Sequence, residues 1–385
     1  MSQPQRKTEL SDLEKADCKT GKMLGGIALK PSGLGSGKRR RFVFEDRACS
    51  YHVMSRVAGG ELLFGDIEKE AFRRIMRRLE RFAGVEILTY AVMGNHFHLL
   101  VRVPEREKFL RKFTKGTRAE REARLFEHLS LLYSRAYLAQ LKAELEVMTE
   151  KKMDALYEST IERYLARLCS LEHFMKELKE RFSRWFNKRH GRRGTLWQDR
   201  YKSLLVEDGE ALRTIAAYID LNPVRAGLVE DPKDYRWCGY AEALGGSKRA
   251  RRALCLVLDT TVASWEKTGR QAYCNLLLGE GMEAGESEKA RERQAGRRVF
   301  RRGLDREQAL AELRSGKDLS QAELLRCRVR YFSDGLVLGS REFVEQAFEA
   351  KREWFGRKRK TGARGLPVEG GGLFSLRDLR VQALE

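Results

Sequence analysis

Between residues 85 and 103, apolar and polar positions alternate with a period of two on either side of a Gly94-Asn95 dipeptide. That spacing predicts two antiparallel strands, 85–93 and 96–103, joined by a tight turn. In the second strand His96, His98, Leu100 and Arg102 share one side, while Phe97, Leu99, Val101 and Val103 share the other. The apolar set can face a core. Upstream, residues 48–57 predict a further strand. Residues 66–82 predict a helix, with Ile67, Phe72, Ile75, Met76, Leu79 and Phe82 at helical spacing and Asp66 as its N-cap. Strand, helix, strand, strand is the first half of a split β-α-β unit, which implies an α+β fold with an antiparallel sheet and helices on one face.

After Pro104 the chain turns helical and charged. Apolar residues at 161, 165, 168, 171, 175, 178, 182 and 185 form one long amphipathic stripe ending in Phe182, Trp185 and Phe186. A basic, glycine-punctuated loop follows at 187–194, and residues 195–206 return to strand and complete the sheet. Next comes a helix with Asp208 as N-cap and Leu212, Ile215 and Ile219 on its apolar face, stopping before Pro223. The organisation read from this pattern is a basic tail over 1–40 and a main domain over 41–245 with a helical insertion at about 105–190. A mainly α C-terminal extension covers 253–385. Within the extension a helix is expected over 253–280, a charged linker over 279–302, and short helices at 306–313, 321–329 and 342–354. A flexible tail runs from residue 358. Basic flanks at Arg297, Arg298, Arg301, Arg302 and at 357–360 fit a helix-turn-helix-like DNA-binding module, and equally an all-helical packing domain with a solvated face.

Composition narrows the partner. The 385 residues carry 76 Lys+Arg against 55 Asp+Glu, a formal net charge of +21. Such an excess favours a polyanion, because displaced phosphate counterions drive binding to nucleic acid. Seven scattered cysteines, without a Cys-x-x-Cys pair, argue against a disulfide framework or zinc ribbon and for a reducing compartment. No apolar run approaches the roughly 20 residues of a bilayer span, and no signal-peptide core is seen, so a soluble, cytoplasmic, nucleoid-associated protein without a membrane partner is expected.

Candidate chemistry sits in two places. His96 and His98 present two imidazoles on one strand face, close enough to hold one divalent cation. The other, far along the chain, is Tyr218-Ile-Asp-Leu-Asn222-Pro223, with Tyr218 and Asn222 one helical turn apart on the same face. Singly, Tyr218 could be a core aromatic and Asn222 a helix C-cap. Jointly with His96 and His98 they supply a phenol and a carboxamide oxygen, as a metal-assisted phosphodiester transesterification needs. His52 reads as a packing or hydrogen-bonding residue, His128 and His173 as structural or solvated, and His190 as part of a charged flexible turn, with a phosphate contact as its alternative.

The motifs Asn95-His96-Phe97-His98, Leu196-Trp197-Gln198 with Tyr201-Lys202-Ser203, and Tyr218-Ile-x-x-Asn222-Pro223-Val224-x-x-Gly227 resemble the single-tyrosine HUH transposases, in particular the REP-associated (IS200-like) branch. The resemblance covers about residues 47–245. It implies a ferredoxin- or RRM-like sheet, the HUH endonuclease fold, with the histidine pair on a central strand. It implies His96, His98 and Asn222 as ligands of Mg²⁺ or Mn²⁺, Asn222 standing where many relatives have Gln. It also implies Tyr218 as the nucleophile that cleaves single-stranded DNA near hairpins through a 5′-phosphotyrosine. The helical insertion would serve hairpin recognition or dimer contacts, with monomer and homodimer both open. Arg102, Arg189, Arg192, Arg193, Trp197, Arg200 and Lys202 are the candidate DNA contacts. Two other functions stay open: a catalytically idle, domesticated binder of hairpin or repeat DNA, and a metal-dependent hydrolase that uses water.

Overall fold

The computed structural model describes residues 41–278, 335–366 and 372–376, together with Leu325 and Phe332. The tail over 1–40, the linker over 279–302 and the helices expected at 306–313 and 321–329 (Leu325 apart) lie outside the described residues.

Four strands make the framework: β1 (Cys49–Arg56), β2 (Glu86–Val92), β3 (His96–Val103) and β4 (Lys202–Val206). They lie in the order β2-β3-β1-β4 with each neighbouring pair antiparallel, as in a split β-α-β sheet. Helix α1 (Asp66–Ala83) connects β1 to β2. Five helices run between β3 and β4: α2 (Arg106–Thr114), α3 (Arg118–Leu129), α4 (Arg135–Glu150), α5 (Asp154–Leu165) and α6 (Leu171–Arg189).

The N-cap of α1 is Gly65, not Asp66; the Glu68 carboxylate accepts the Gly65 N–H at 2.9 Å, so the orphan donor is met by an acid in the first turn. The long stripe from 161 to 185 is two helices, because Cys169 takes φ 51 and donates its N–H to the Ala83 carbonyl at 2.7 Å instead of to a helical carbonyl. Arg106 then donates to the carbonyls of Leu165 and Leu168, closing the end of α5. At the end of α1, Gly84 has φ 69, and a Cβ there would meet the Phe109 ring at 2.4 Å. Only glycine fits.

On one side of the sheet Phe97, Leu99 and Val101 pack with Phe72, Met76 and Leu79 of α1 and Phe174, Leu178 and Phe182 of α6, all essentially buried. The Phe72 and Phe97 rings are 4.6 Å apart. Each such side chain contributes roughly 1.5–3 kcal/mol by leaving water. The other side is also covered, where helices on a single face had been expected. Over it lie α7 (Glu210–Asp220), the single turn α8 (Asn222–Arg225), α9 (Gly239–Leu244), α10 (Lys248–Val257) and α11 (Arg270–Leu278). Leu100, Leu204 and Val206 from the sheet meet Leu212, Ile215 and Ile219 of α7 in this second core. The N-cap of α7 is Gly209 at φ 89; Asp208 turns back to Arg102 and Ser50 instead. The single helix expected over 253–280 is α10 and α11, separated by a turn that includes Asp259 at φ 53.

The C-terminal residues extend the same sheet. β5 (Val337–Gly339) pairs parallel with β4, α12 (Arg341–Ala350) follows, and β6 (Arg364–Gly365) and β7 (Phe374–Ser375) complete the seven-stranded order β2-β3-β1-β4-β5-β7-β6. Strand was not expected in this region. These segments are only two or three residues long, too short to show a period, and pairing with β4 decides their state. No helix among the described residues is long and apolar enough to cross a membrane.

Candidate active site

His98 leaves the middle of β3 on the side opposite Phe97, and α7 lays Tyr218 over it. The ring centroids of His98 and Tyr218 are 6.3 Å apart at 87°, and those of His96 and His98 are 5.1 Å apart. The structure therefore brings together two of the three sequence-predicted elements, the histidine pair and the tyrosine. Asn222 joins through the backbone: its Nδ2 donates to the Tyr218 carbonyl at 3.3 Å, and its Oδ1 accepts no hydrogen bond among the described residues. Tyr218 is 4 % exposed, and its ring is held between the Phe332 ring at 5.1 Å and the Arg225 guanidinium at 3.9 Å. Arg225 also donates to the Tyr218 carbonyl at 2.5 Å and to the Leu325 carbonyl at 2.8 Å.

What fixes α7 is Asp220, two residues beyond Tyr218 and completely buried. Its carboxylate accepts from Thr89 of β2, from Tyr273 of α11 at 2.6 Å and from the Tyr240 N–H of α9 at 3.1 Å. Burial pushes its pKa up to about 6 against the pull of those donors.

The histidines are oriented by neighbours. Asn95 donates its Nδ2 to the Gly60 carbonyl, which assigns its Oδ1 as the acceptor for His96 Nδ1 at 2.7 Å. His52 of β1 meets His98 Nδ1 with its Nε2 at 2.8 Å and reaches the Phe332 carbonyl with its Nδ1 at 2.5 Å. Burial lowers the pKa of His52 to about 4, and burial with the neighbouring His52 and His96 holds His98 well below its ordinary value, so both rings are neutral near pH 7. No cluster of three or more His, Cys, Asp or Glu that could hold a metal ion occurs among the described residues. A cation here would rest on His96, His98 and the amide oxygen of Asn222. The donor set fits. His98 Nε2 makes no hydrogen bond among the described residues, and two imidazoles with an amide oxygen and water suit a hard or borderline divalent ion.

The candidate DNA contacts separate. Lys202 lies in the same cross-strand row as His98, both opposite Met54 of β1. Arg192, Arg193 and Arg200 are exposed. Arg189 lies 3.7 Å from Glu68, and Arg102 is bound by Asp208 at 3.0 Å. Trp197 differs most from expectation: it lies ahead of β4 in an isolated antiparallel bridge to Val57 and is buried against Phe64, Phe97 and Phe182, with its Nε1 donating to the Lys179 carbonyl. Its edge and Arg200 line a cavity of about 730 Å³ beside α6. His128 bonds the Phe82 carbonyl, His173 the Ser170 hydroxyl and His190 the Glu68 carboxylate, so the first two are structural as read and His190 meets a carboxylate. Sequence reasoning missed Arg56, Arg225, Asp220 and the bond from His52 to His98. The register Arg56↔His96 places Arg56 beside the pair, and Arg225 lies seven residues, two turns, beyond Tyr218. Neither relation shows without the pairing or the bend at Leu221.

Fold and site together define an α+β protein in which a paired-histidine strand faces a tyrosine-bearing helix. Residues 46–141 and 165–222 match the family model of the IS200-like transposases. The gap in the match falls in α4 and α5 of the helical insertion. Among solved structures the chain is similar to a REP-associated tyrosine transposase bound to a REP hairpin, with 13% identity, a TM-score of 0.34 and coverage of 55% of this chain and 86% of that one. No curated protein matches.

Proposed function

We propose that this protein is a metal-dependent DNA strand transferase of the REP-associated type, cutting and rejoining single-stranded DNA near hairpins through Tyr218. The observation that carries the reading is the 6.3 Å approach of the Tyr218 and His98 rings, from two elements far apart in sequence. A hydroxyl beside a paired-imidazole face suits metal-assisted phosphoryl transfer to a side chain. Tyr218 Oη would attack phosphorus, the 3′ oxygen would leave and take up a proton, and the strand would remain as a 5′-phosphotyrosine beside a free 3′-OH. Attack of a 3′-OH on that linkage would rejoin DNA without ATP. Mg²⁺ or Mn²⁺, when held by His96, His98 and Asn222, supplies positive charge for a non-bridging phosphate oxygen. Arg56 and Lys202 on the same sheet face, with the net charge of +21, suit a polyanionic substrate.

The second reading, a binder that does not cut, draws on the 4 % exposure of Tyr218 under Phe332. One experiment decides between them. Hairpin-flanked single strands labelled on the 3′ side of the cut are incubated with the protein and Mn²⁺. A labelled protein band on a denaturing gel, absent with Tyr218→Phe or EDTA, is the expected result. Cutting without a labelled band, retained in the Phe variant, would show hydrolysis by water; binding without cutting would show an idle binder.

A further inference from the structure

We infer that His52 is a positioning residue of the proposed site: it sets which ring nitrogen of His98 carries the proton, and so keeps the His98 Nε2 lone pair for the cation. The inference rests on the reading of His98 as a ligand.

The order of protons follows from the far end. A carbonyl oxygen only accepts, so His52 Nδ1, 2.5 Å from the Phe332 carbonyl, carries the proton. A neutral imidazole has one N–H, which leaves His52 Nε2 as an acceptor. The atom facing it at 2.8 Å is His98 Nδ1, which must therefore be the donor. His98 is left with its lone pair on Nε2. His52 and His98 are 2 % and 3 % exposed, so bulk water does not compete for these positions.

Register builds the contact. β1 pairs His52 with Leu100 and Met54 with His98, so the two histidines are diagonal neighbours on one sheet face. Their rings stack with centroids 5.1 Å apart at 25°, which fixes the plane of His98 as well as its tautomer. A histidine that only filled the core would need no particular proton order. This one is bonded at both nitrogens in the one order that presents His98 as a ligand, as partners behind metal-bound histidines commonly do.

The test uses the full chain labelled with ¹⁵N-histidine, long-range ¹H–¹⁵N correlation of the His98 ring without metal, and Mn²⁺ titration followed by electron paramagnetic resonance. Wild type is expected as the Nδ1–H tautomer. His52→Leu removes the acceptor and should move the His98 proton to Nε2 in part or wholly, with Mn²⁺ affinity lowered by about 10–100-fold. His52→Gln, whose amide can accept from His98 and donate to Phe332, should restore both readouts to within a few-fold. A wild-type His98 found as the Nε2–H tautomer overturns the proposal without any variant, so a poorly folding His52→Leu does not protect it. Unchanged tautomer and Mn²⁺ affinity in a folded His52→Leu also overturns it. Unchanged Mn²⁺ affinity in His98→Ala instead overturns the ligand reading, and is told apart because the tautomer shift caused by His52→Leu would persist.

Discussion

The two faces of the central sheet are made from the same strands and do opposite work. Along β3, Phe97, Leu99 and Val101 enter a dry core of aromatic and aliphatic side chains under α1 and α6. The intervening His96 and His98 meet Asn95, His52 and Tyr218 on the other face. Both faces are buried, so burial does not distinguish them. The distinction is whether a buried group is satisfied by shape or by a directed bond. On the first face the lining atoms need only close packing. On the second, Asp220 needs three donors and His52 needs an acceptor and a donor, and each of those bonds fixes an angle. A one-residue slip of β3 would exchange the two sets, which is why the apolar set also protects the geometry of the polar one.

Substitutions on the two faces should therefore fail differently. The largest effect belongs to His98→Ala: DNA cleavage should fall on the order of 10³-fold or more, from the loss of several kcal/mol of charge stabilisation, while hairpin binding changes little. Cleavage within tenfold of wild type would remove His98 from the chemistry. On the opposite face Phe97→Ala should lower unfolding free energy by about 3–5 kcal/mol in denaturant titration, through the cavity left beside Phe72 and Trp197, and leave Mn²⁺ affinity unaltered where the protein stays folded. Equal losses of stability from the two substitutions would erase the contrast.

A smaller effect comes from Lys179, whose pKa is lowered to about 8 by burial beside Trp197, below its ordinary value of 10.5. The folded state then binds fewer protons than the unfolded one between those values, so this group makes stability rise as pH climbs from about 8 to 10.5. At this half-buried side chain the gain is about 1–2 kcal/mol, and it should be missing from the difference between wild type and Lys179→Met. A difference that is flat over that window would mean Lys179 is better solvated than its packing implies.

How far the sequence carried these features depended on the range of the signal. The period of two in residues 96–103 assigned Phe97, Leu99, Val101 and Val103 to one face and the histidines to the other, and both assignments hold. Tyr218 and Asn222 read as one turn of a single helix, whereas α7 ends at Asp220 and Asn222 opens α8, tied to Tyr218 by its side-chain bond to the Tyr218 carbonyl. Features set by contact at a distance were not legible. His52 was read as a hydrogen-bonding residue, but its partner depends on β1–β3 register. The break at Cys169 has no glycine or proline to mark it. Asp208 looks like a cap until Arg102, on β3 two strands across the sheet, takes it. Trp197 sits in a basic, polar stretch that reads as a surface, and its burial follows from the bridge to Val57.

The central claim is that the Tyr218 hydroxyl is the nucleophile that takes up the 5′ phosphate in strand transfer, and its most direct measurement is the site of the covalent bond. Wild-type protein incubated with Mn²⁺ and a cleavable hairpin-flanked strand should be digested and mapped by mass spectrometry. The account expects a single nucleotide-bearing peptide with phosphate on Tyr218, and none in Tyr218→Phe. Tyr164, Tyr201 and Tyr240 lack a carboxamide four residues on. Attachment to any of them, or strand cleavage with no adduct at all, would contradict the roles given to α7, to Asn222 and to the histidine face beneath them.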